Sequence, residues 1–286
     1  MPTASPTVAG FFHPQTGTVS YVVSDPATRR AAIVDSVLDF DHASGRTSTQ
    51  SADAIAAHVT GLGLKVDWIL ETHAHADHLS AAQTLRRSLG GTIAIGEHIA
   101  EVQRTFAALY GTPVPSPQVF DRRFADGERF KIGSLEAEVM HTPGHTPACV
   151  SYRIGDAVFC GDTVFMPDYG TARCDFPGGS AETLYRSIRR LLALPPETRV
   201  FVGHVYPAEG AQPQWEATVA QHRAANKHVR DGVAEADFVK MRRERDATLA
   251  MPQLIWPSLQ VNIQAGKLPA PDKNGLVYLK LPLNAL

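Results

Sequence analysis

Short apolar runs alternate with longer amphipathic stretches along most of the chain. In the first half, four such runs predict buried strands, at residues 18–23, 31–35, 66–70 and 92–95. The intervening stretches predict helices at residues 53–62, 78–89 and 97–110. We expect Ser51 to cap the first of these helices and Gly63 to lie just past its end.

The second half repeats this alternation. Residues 135–139 alternate in polarity, and the apolar runs that begin at Val158 and Val200 each predict a strand that ends in polar residues. Ser180 is expected to cap a helix with one apolar stripe, formed by Leu184, Ile188, Leu191 and Leu192. Two βαβ-like halves result, and they predict an α/β fold with two sheets packed face to face and helices outside.

The chain changes character at about Gly210. Residues 215–229 and 236–249 predict helices, and we interpret the charged run of the second helix as a solvated face. Residues 275–280 predict an edge strand. We therefore divide the chain into a catalytic domain at 1–210 and, at 211–286, a C-terminal helical extension and tail packed on the same domain.

Composition narrows the class of protein. The 286 residues include 44% hydrophobic residues, enough for a sizeable core, and a net charge of −2 gives no electrostatic case for nucleic acid. No apolar run approaches the roughly 18 residues that span a membrane. The three cysteines form no CxxC pair, and residues 1–8 lack the pattern of a secretion signal. We expect a cytoplasmic enzyme.

The run Thr72-His73-Ala74-His75-Ala76-Asp77-His78 predicts a metal site. It places three imidazoles and a carboxylate within six positions, directly after an apolar strand. In an extended segment His73, His75 and Asp77 share one side, whereas His78 is free to face a different centre. Imidazole is the commonest metal ligand in proteins.

Three further segments end in residues of the same chemical types. Pro143 and Gly144 force a turn that would direct His145 toward the site. Asp162 and His204 each follow an apolar strand, through Gly161 and Gly203. Ligands of open α/β sheets gather at the carboxyl ends of strands, so we expect these side chains to meet.

His-x-His-x-Asp-His, Pro-Gly-His-Thr, Gly-Asp-Thr and Gly-His, in this order, resemble the metallo-β-lactamase superfamily over about residues 10–210. Within it the chain is most similar to bacterial persulfide dioxygenases of the glutathione-linked branch, which also includes glyoxalase II. Three segments support this similarity: residues 45–49, 170–176 and 259–262. The resemblance implies a four-layer αββα sandwich with a C-terminal helical extension.

That similarity implies oxidation of glutathione persulfide by O₂ to sulfite and glutathione. We expect one Fe(2+), held by His73, His145 and Asp162, because two imidazoles and one carboxylate are typical of non-haem iron oxygenases and leave three positions open. The remaining candidates would then orient ligands or water. They are His75, Asp77, His78 and His204.

An alternative is a binuclear hydrolase of the glyoxalase II type. One metal would be bound by His73, His75 and His145 and the other by Asp77, His78 and His204, with Asp162 between them. Two ions can activate a hydroxide for thioester cleavage. Because these ligands also suit Zn(2+), one or two zinc ions remain open, as does a non-catalytic metal-binding or thiol-sensing module.

Four residues are predicted to bind the substrate: Thr146, Arg173, Tyr206 and His228. Arg173 can form a two-pronged bond with a carboxylate of glutathione, which we favour over the alternative of a structural pair with Asp175. Cys174, beside Arg173, is either a reactive thiol or a replacement for the threonine of relatives. The oligomeric state is open, with a homodimer as one option.

Overall fold

The computed structural model describes residues 5–285. The strands along this part of the chain are β1 (Thr7–His13), β2 (Thr18–Ser24), β3 (Arg30–Val34), β4 (Val37–Asp41), β5 (Arg46–Ser48), β6 (Lys65–Leu70), β7 (Leu79–Ser80), β8 (Thr92–Gly96), β9 (Arg122–Phe124), β10 (Arg129–Ile132), β11 (Leu135–His141), β12 (Val150–Ile154), β13 (Ala157–Phe159), β14 (Arg199–Phe201) and β15 (Glu216–Thr218). The helices are α1 (Gln50–Gly61), α2 (Ala82–Leu89), α3 (Ile99–Tyr110), α4 (Ala181–Leu191), α5 (Val219–Ala225), α6 (Glu235–Asp246) and α7 (Ile255–Asn262).

Two six-stranded sheets form the centre of the molecule, in the orders β1-β2-β3-β6-β8-β9 and β10-β11-β12-β13-β14-β15. In the first sheet, β3, β6, β8 and β9 are parallel, so the predicted βαβ organisation is confirmed there. The second sheet is mostly antiparallel, with β13 and β14 as its parallel pair. The second half therefore follows the predicted βαβ pattern only at β13, α4 and β14.

The core between the sheets explains why β2 is apolar on both faces. Tyr21 points toward the second sheet, where its ring centroid lies 5.3 Å from that of Phe159 and 5.4 Å from that of Phe201. Its neighbour Val22 belongs instead to the cluster that packs under the helices. A strand covered on both sides reads as a continuous hydrophobic run rather than an alternating one.

Helix boundaries were predicted with mixed success. Ser180 does cap α4, accepting a hydrogen bond from the backbone N–H of Thr183. The cap predicted at Ser51 is wrong, because α1 begins at Gln50 and the Ser51 hydroxyl donates to Asp39. The helix predicted from residue 78 begins only at Ala82, since β7 comes first.

The C-terminal region departs further from the prediction. Residues 216–218 form β15 of the second sheet and leave only a short helix, α5. Residues 275–280 form no strand, and α7 lies in a region without any predicted helix. The division at residue 210 remains a prediction, although β15 places chain beyond it in the central sheet. None of the helices within residues 5–285 is long and apolar enough to cross a membrane.

Candidate metal centre

Loops at one edge of the two sheets carry the candidate ligands. The segment that contains His73, His75 and His78 follows β6, and His145 lies in the loop after β11. Asp162 follows β13, and His204 follows β14, which runs parallel to β13. The expectation that these side chains meet is confirmed, because two groups of three have donor atoms within 4.8 Å of one another.

The first group consists of His73, His145 and Asp162, the predicted iron ligands. All three are almost completely buried, with exposed fractions of 2%, 7% and 9%. Nε2 of His145 lies 3.8 Å from Oδ2 of Asp162. The second group consists of His75, Asp77 and His78, so the structure also brings together residues of the binuclear alternative.

Three buried nitrogen atoms around this centre have no hydrogen-bond partner. They are Nε2 of His73, Nδ1 of His75 and Nε2 of His78. A buried polar atom without a partner costs about 1–3 kcal/mol, so three at one centre need a physical explanation. Metal ions bound at the two groups would satisfy these atoms, and the donor set therefore fits metal binding.

The opposite nitrogen of each ring is bound to the protein, which fixes the ring's orientation. Nδ1 of His73 contacts the Thr72 hydroxyl at 3.0 Å, and Nδ1 of His145 donates to the carbonyl oxygen of Arg173 at 2.8 Å. Nδ1 of His78 lies 3.1 Å from the carbonyl oxygen of Leu79. Such outer contacts are typical of metal-binding histidines.

Asp35 and Glu71 hold the ring of His75 from behind. Nε2 of His75 lies 3.0 Å from Asp35 and 3.4 Å from Glu71. Burial alone would lower the pKa of His75, but the Asp35 carboxylate, assisted by Glu71, outweighs burial and raises it well above its ordinary value. Sequence reasoning assigned no role to these acids. Asp35 does follow an apolar strand closely, as do Asp162 and His204, and this shared position is the signal that could have identified it.

His204 lies between the two groups. Its Nδ1 is 2.6 Å from Oδ1 of Asp162, and its Nε2 is 2.8 Å from Oδ2 of Asp77. Burial opposes the charged ring, but these two carboxylates raise the pKa of His204 well above its ordinary value. Both of its nitrogens are thus occupied by carboxylates in this structure.

Asn262, near the end of α7, supports the metal-binding loop. Its Nδ2 donates to the carbonyl oxygens of His75 at 2.8 Å and His78 at 2.7 Å, and its Oδ1 accepts from the backbone N–H of Ser80 at 2.8 Å. Sequence analysis identified residue 262 only as part of a family segment. Its contacts make it a positioning residue.

We predict that Asn262→Asp will weaken metal binding about 10–100-fold, because both donated bonds are lost and the loop is released. Titration of the metal-free protein with iron or zinc measures this change. Gln260→Leu on the same helix is the matched control, since its amide bonds only to the tail at Lys280. Equal affinity in wild type and Asn262→Asp would show that α7 does not position the loop.

A buried ion pair on α6 supports a second loop of the centre, at residues 171–174. Arg242, 1% exposed, pairs with Asp246 at 2.6 Å and also donates to the carbonyl oxygen of Thr171. Asp246 accepts in turn from the backbone N–H of Cys174 at 2.9 Å. The interpretation of this charged run as a solvated face is therefore wrong for these two residues. They anchor the loop whose carbonyl at Arg173 orients His145.

Arg173 is bound to the protein itself. It pairs with Asp175 and donates to the carbonyl oxygen of Ala250 at 2.7 Å. This is the structural pair that the sequence left as an alternative. A direct contact between Arg173 and glutathione remains a prediction.

Tyr206 lies at the mouth of a cavity beside His204. It is 51% exposed, and its ring stacks on Tyr169 at 4.6 Å between centroids. The cavity measures 430 Å³ and is lined by Met166, Tyr169, His204, Tyr206 and Gln214 among others. Nζ of Lys227 lies 5.2 Å from the centre of the Tyr169 ring. This surface combines aromatic faces with a nearby cation.

The other two predicted substrate contacts are buried. The Thr146 hydroxyl lies 3.1 Å from Sγ of Cys149 and accepts from the backbone N–H of Ala148, so it holds the turn together. His228 accepts from the backbone N–H of Thr171, and burial lowers its pKa to about 4. A neutral ring offers no positive charge for a carboxylate. Contacts of Thr146 and His228 with the substrate remain predictions, and the buried positions of the two side chains do not favour them.

The cysteines are all buried and free. Burial raises the pKa of Cys149 and Cys160 to about 12, as expected for core residues. Burial also raises the pKa of Cys174, although Arg242 acts in the other direction. Burial and the raised pKa do not favour a partly ionised thiol at Cys174, and its replacement of a threonine is the better interpretation.

Two stacked sheets that converge on clustered histidines and aspartates define a metal-dependent enzyme fold. The sequence profile of the Metallo-beta-lactamase superfamily matches residues 14–204, and the chain belongs to this superfamily. The predicted fold and the family resemblance are thereby confirmed.

Relatives divide between two kinds of chemistry. A beta-lactamase hydrolase-like protein of Xylella fastidiosa is 54% identical over 99% of this chain, which spans only 66% of that relative's length. Glyoxylase B2 of Dictyostelium discoideum is 50% identical over 95% of each protein. The mitochondrial persulfide dioxygenase ETHE1 of Bos taurus is 29% identical over 89% of this chain and 87% of its own. The crystal structure of ETHE1 from Myxococcus xanthus superimposes with a TM-score of 0.74 at 28% identity, covering 91% of this chain and all of that one (100%).

Proposed function

We propose that the chain is a glutathione-dependent persulfide dioxygenase that contains one iron. In this reaction glutathione persulfide, O₂ and water give glutathione, sulfite and two protons. Its S–S bond is cleaved, and the outer sulfur is oxidised while O₂ is reduced. The structural likeness to ETHE1 supports this proposal.

One observation carries the choice of metal number. In the binuclear arrangement the second metal would need Asp77, His78 and His204, and two of these residues are bound to each other. Oδ2 of Asp77 lies 2.8 Å from His204 and accepts from the Thr18 hydroxyl at 3.1 Å. Because both nitrogens of His204 are bound to carboxylates, His204 offers no donor atom to a second metal, whereas His73, His145 and Asp162 form a complete group of three donors.

The residues around this site have separate tasks. Iron bound by His73, His145 and Asp162 would supply open positions at which a persulfide sulfur and O₂ react. His204 holds the Asp162 carboxylate through Oδ1, which leaves Oδ2 free for coordination. Tyr206 and Tyr169 offer aromatic faces for the tripeptide, and Lys227 offers a cation for its carboxylates.

Purification without oxygen, followed by metal analysis and assays on two substrates, tests the proposal. We expect about one iron per chain, and one O₂ consumed per sulfite formed from glutathione persulfide. S-lactoylglutathione should be a poor substrate. Two zinc ions per chain with rapid thioester hydrolysis and no oxygen uptake would overturn the proposal.

A glutathione thioesterase with two metals is the second candidate. It is favoured by the unpartnered nitrogens of His75 and His78, which a single iron in the first group leaves unexplained. The 50% identity to glyoxylase B2 also favours it. The same metal analysis and paired assays separate the two candidates.

A further inference from the structure

A continuous chain of hydrogen bonds leads from the metal centre through the β1–β2 turn to His13 at the end of β1. The Thr18 hydroxyl lies 3.1 Å from Nε2 of His204 and 3.1 Å from Oδ2 of Asp77. It is 2.7 Å from the Thr16 hydroxyl, which lies 2.8 Å from Nδ1 of His13. Hydroxyl groups both accept and donate, so the chain has no break between the centre and the His13 ring.

The inner end of this chain is held rigidly by the backbone. Residues Thr18 and His204 form an isolated antiparallel bridge, in which Val19 N–H donates to Gly203 O at 2.9 Å and Val205 N–H donates to Gly17 O at 2.8 Å. Thr18 is fully buried. The turn of the first hairpin is therefore attached to the loop that carries His204, and the backbone of Thr18 cannot move away from the centre without breaking these bonds.

The outer end opens into a separate cavity. His13 and Asp39 both line a cavity of 380 Å³, together with Phe11, Ser20 and Gln50 among others. Nε2 of His13 lies 3.4 Å from Oδ1 of Asp39 on β4. The acidic groups that act on the ring are this aspartate and, beyond it, Asp77. Burial lowers the pKa of His13 despite both acids, so the ring is mostly neutral near pH 7 and able to accept a proton.

We propose that Thr18, Thr16 and His13 form a relay that carries protons from the metal centre to this second cavity, which is separate from the cavity lined by Tyr206. The relay rests on the proposed function insofar as persulfide oxidation releases two protons per turnover. Thioester hydrolysis also releases a proton, so the relay would serve either reaction.

Each step of the relay conserves protons. The Thr18 hydroxyl donates to Oδ2 of Asp77 at rest and must first turn toward Thr16. It then takes up a proton released at the centre and passes its own to Thr16, and Thr16 passes its own to Nδ1 of His13. The resulting imidazolium releases the proton on Nε2 to Asp39 or to water in the cavity. Exchange with solvent restores the starting tautomer of the ring, and rotation of the hydroxyls resets the chain.

The test compares His13→Gln and Thr16→Val with wild type in weak buffer. We expect kcat to fall on the order of tenfold in both, less than the loss of a direct general acid or base would cause. Added imidazole should restore the kcat of His13→Gln, because imidazole can enter the cavity and replace the missing ring. Imidazole should not restore the kcat of Thr16→Val, because there the chain of hydrogen bonds is broken closer to the metal centre. Wild type at the same imidazole concentration corrects for any effect at the metal.

His42→Gln, an exposed histidine outside the chain of hydrogen bonds, is the matched control and should keep wild-type kcat. Iron content and KM should be unchanged in all the variants. A kcat that does not fall in His13→Gln, a fall that imidazole does not reverse, or a loss of iron from His13→Gln would each overturn the relay. If wild type hydrolyses S-lactoylglutathione and consumes no O₂, the proposed function fails, and the relay is then measured on that hydrolysis.

Discussion

Replacement of His73 by alanine is expected to remove the metal and abolish activity. His73 contributes one of three donors to the first group, and its Nε2 has no other partner in the protein. Changes in residues that hydrogen-bond to metal ligands typically lower the affinity for the metal 10–100-fold, and loss of a ligand itself should lower it further. Metal analysis of the purified variant should give below about a tenth of the wild-type iron.

Two further variants separate the one-metal and two-metal arrangements. His204→Gln retains a hydrogen bond to a carboxylate and should leave iron in place. His78→Ala should also retain iron, because His78 belongs to the second group. Loss of half the metal in His78→Ala, or of all of it in His204→Gln, would favour the binuclear centre and contradict the iron assignment.

Arg242→Met is expected to destabilise the fold by ~3 kcal/mol, because it leaves the carboxylate of Asp246 buried without its partner. The melting temperature should fall by roughly 10 °C, which calorimetry can measure. The affinity for metal should fall as well, since the released loop carries the carbonyl that orients His145.

The double variant Arg242→Met/Asp246→Leu should recover most of this loss, because no unpaired charge remains in the core. Lys240→Met on the same helix, at an exposed position, is the control and should melt with wild type. Should Arg242→Met and Lys240→Met melt at the same temperature, the buried pair would not stabilise the loop.

Local sequence was sufficient to predict the helices and strands whose hydrophobic residues follow a clear pattern. The stripe of α4 and its Ser180 cap follow from neighbouring residues alone, as does the buried strand β6. Prediction failed where tertiary contacts decide the structure. Residues 216–218 form a strand only because β14 lies beside them, and the edge strand predicted at residues 275–280 finds no partner strand.

The sequence by itself determined the candidate ligands, because their types and spacing are set by short motifs at the ends of apolar strands. It did not determine which residues hold them. Asn262 lies 184 positions from His78 along the chain, and Arg242 lies 71 positions from Thr171, yet both bond directly to the loops of the centre. Buried backbone groups must find partners wherever the fold supplies them, so only the tertiary structure could identify these residues.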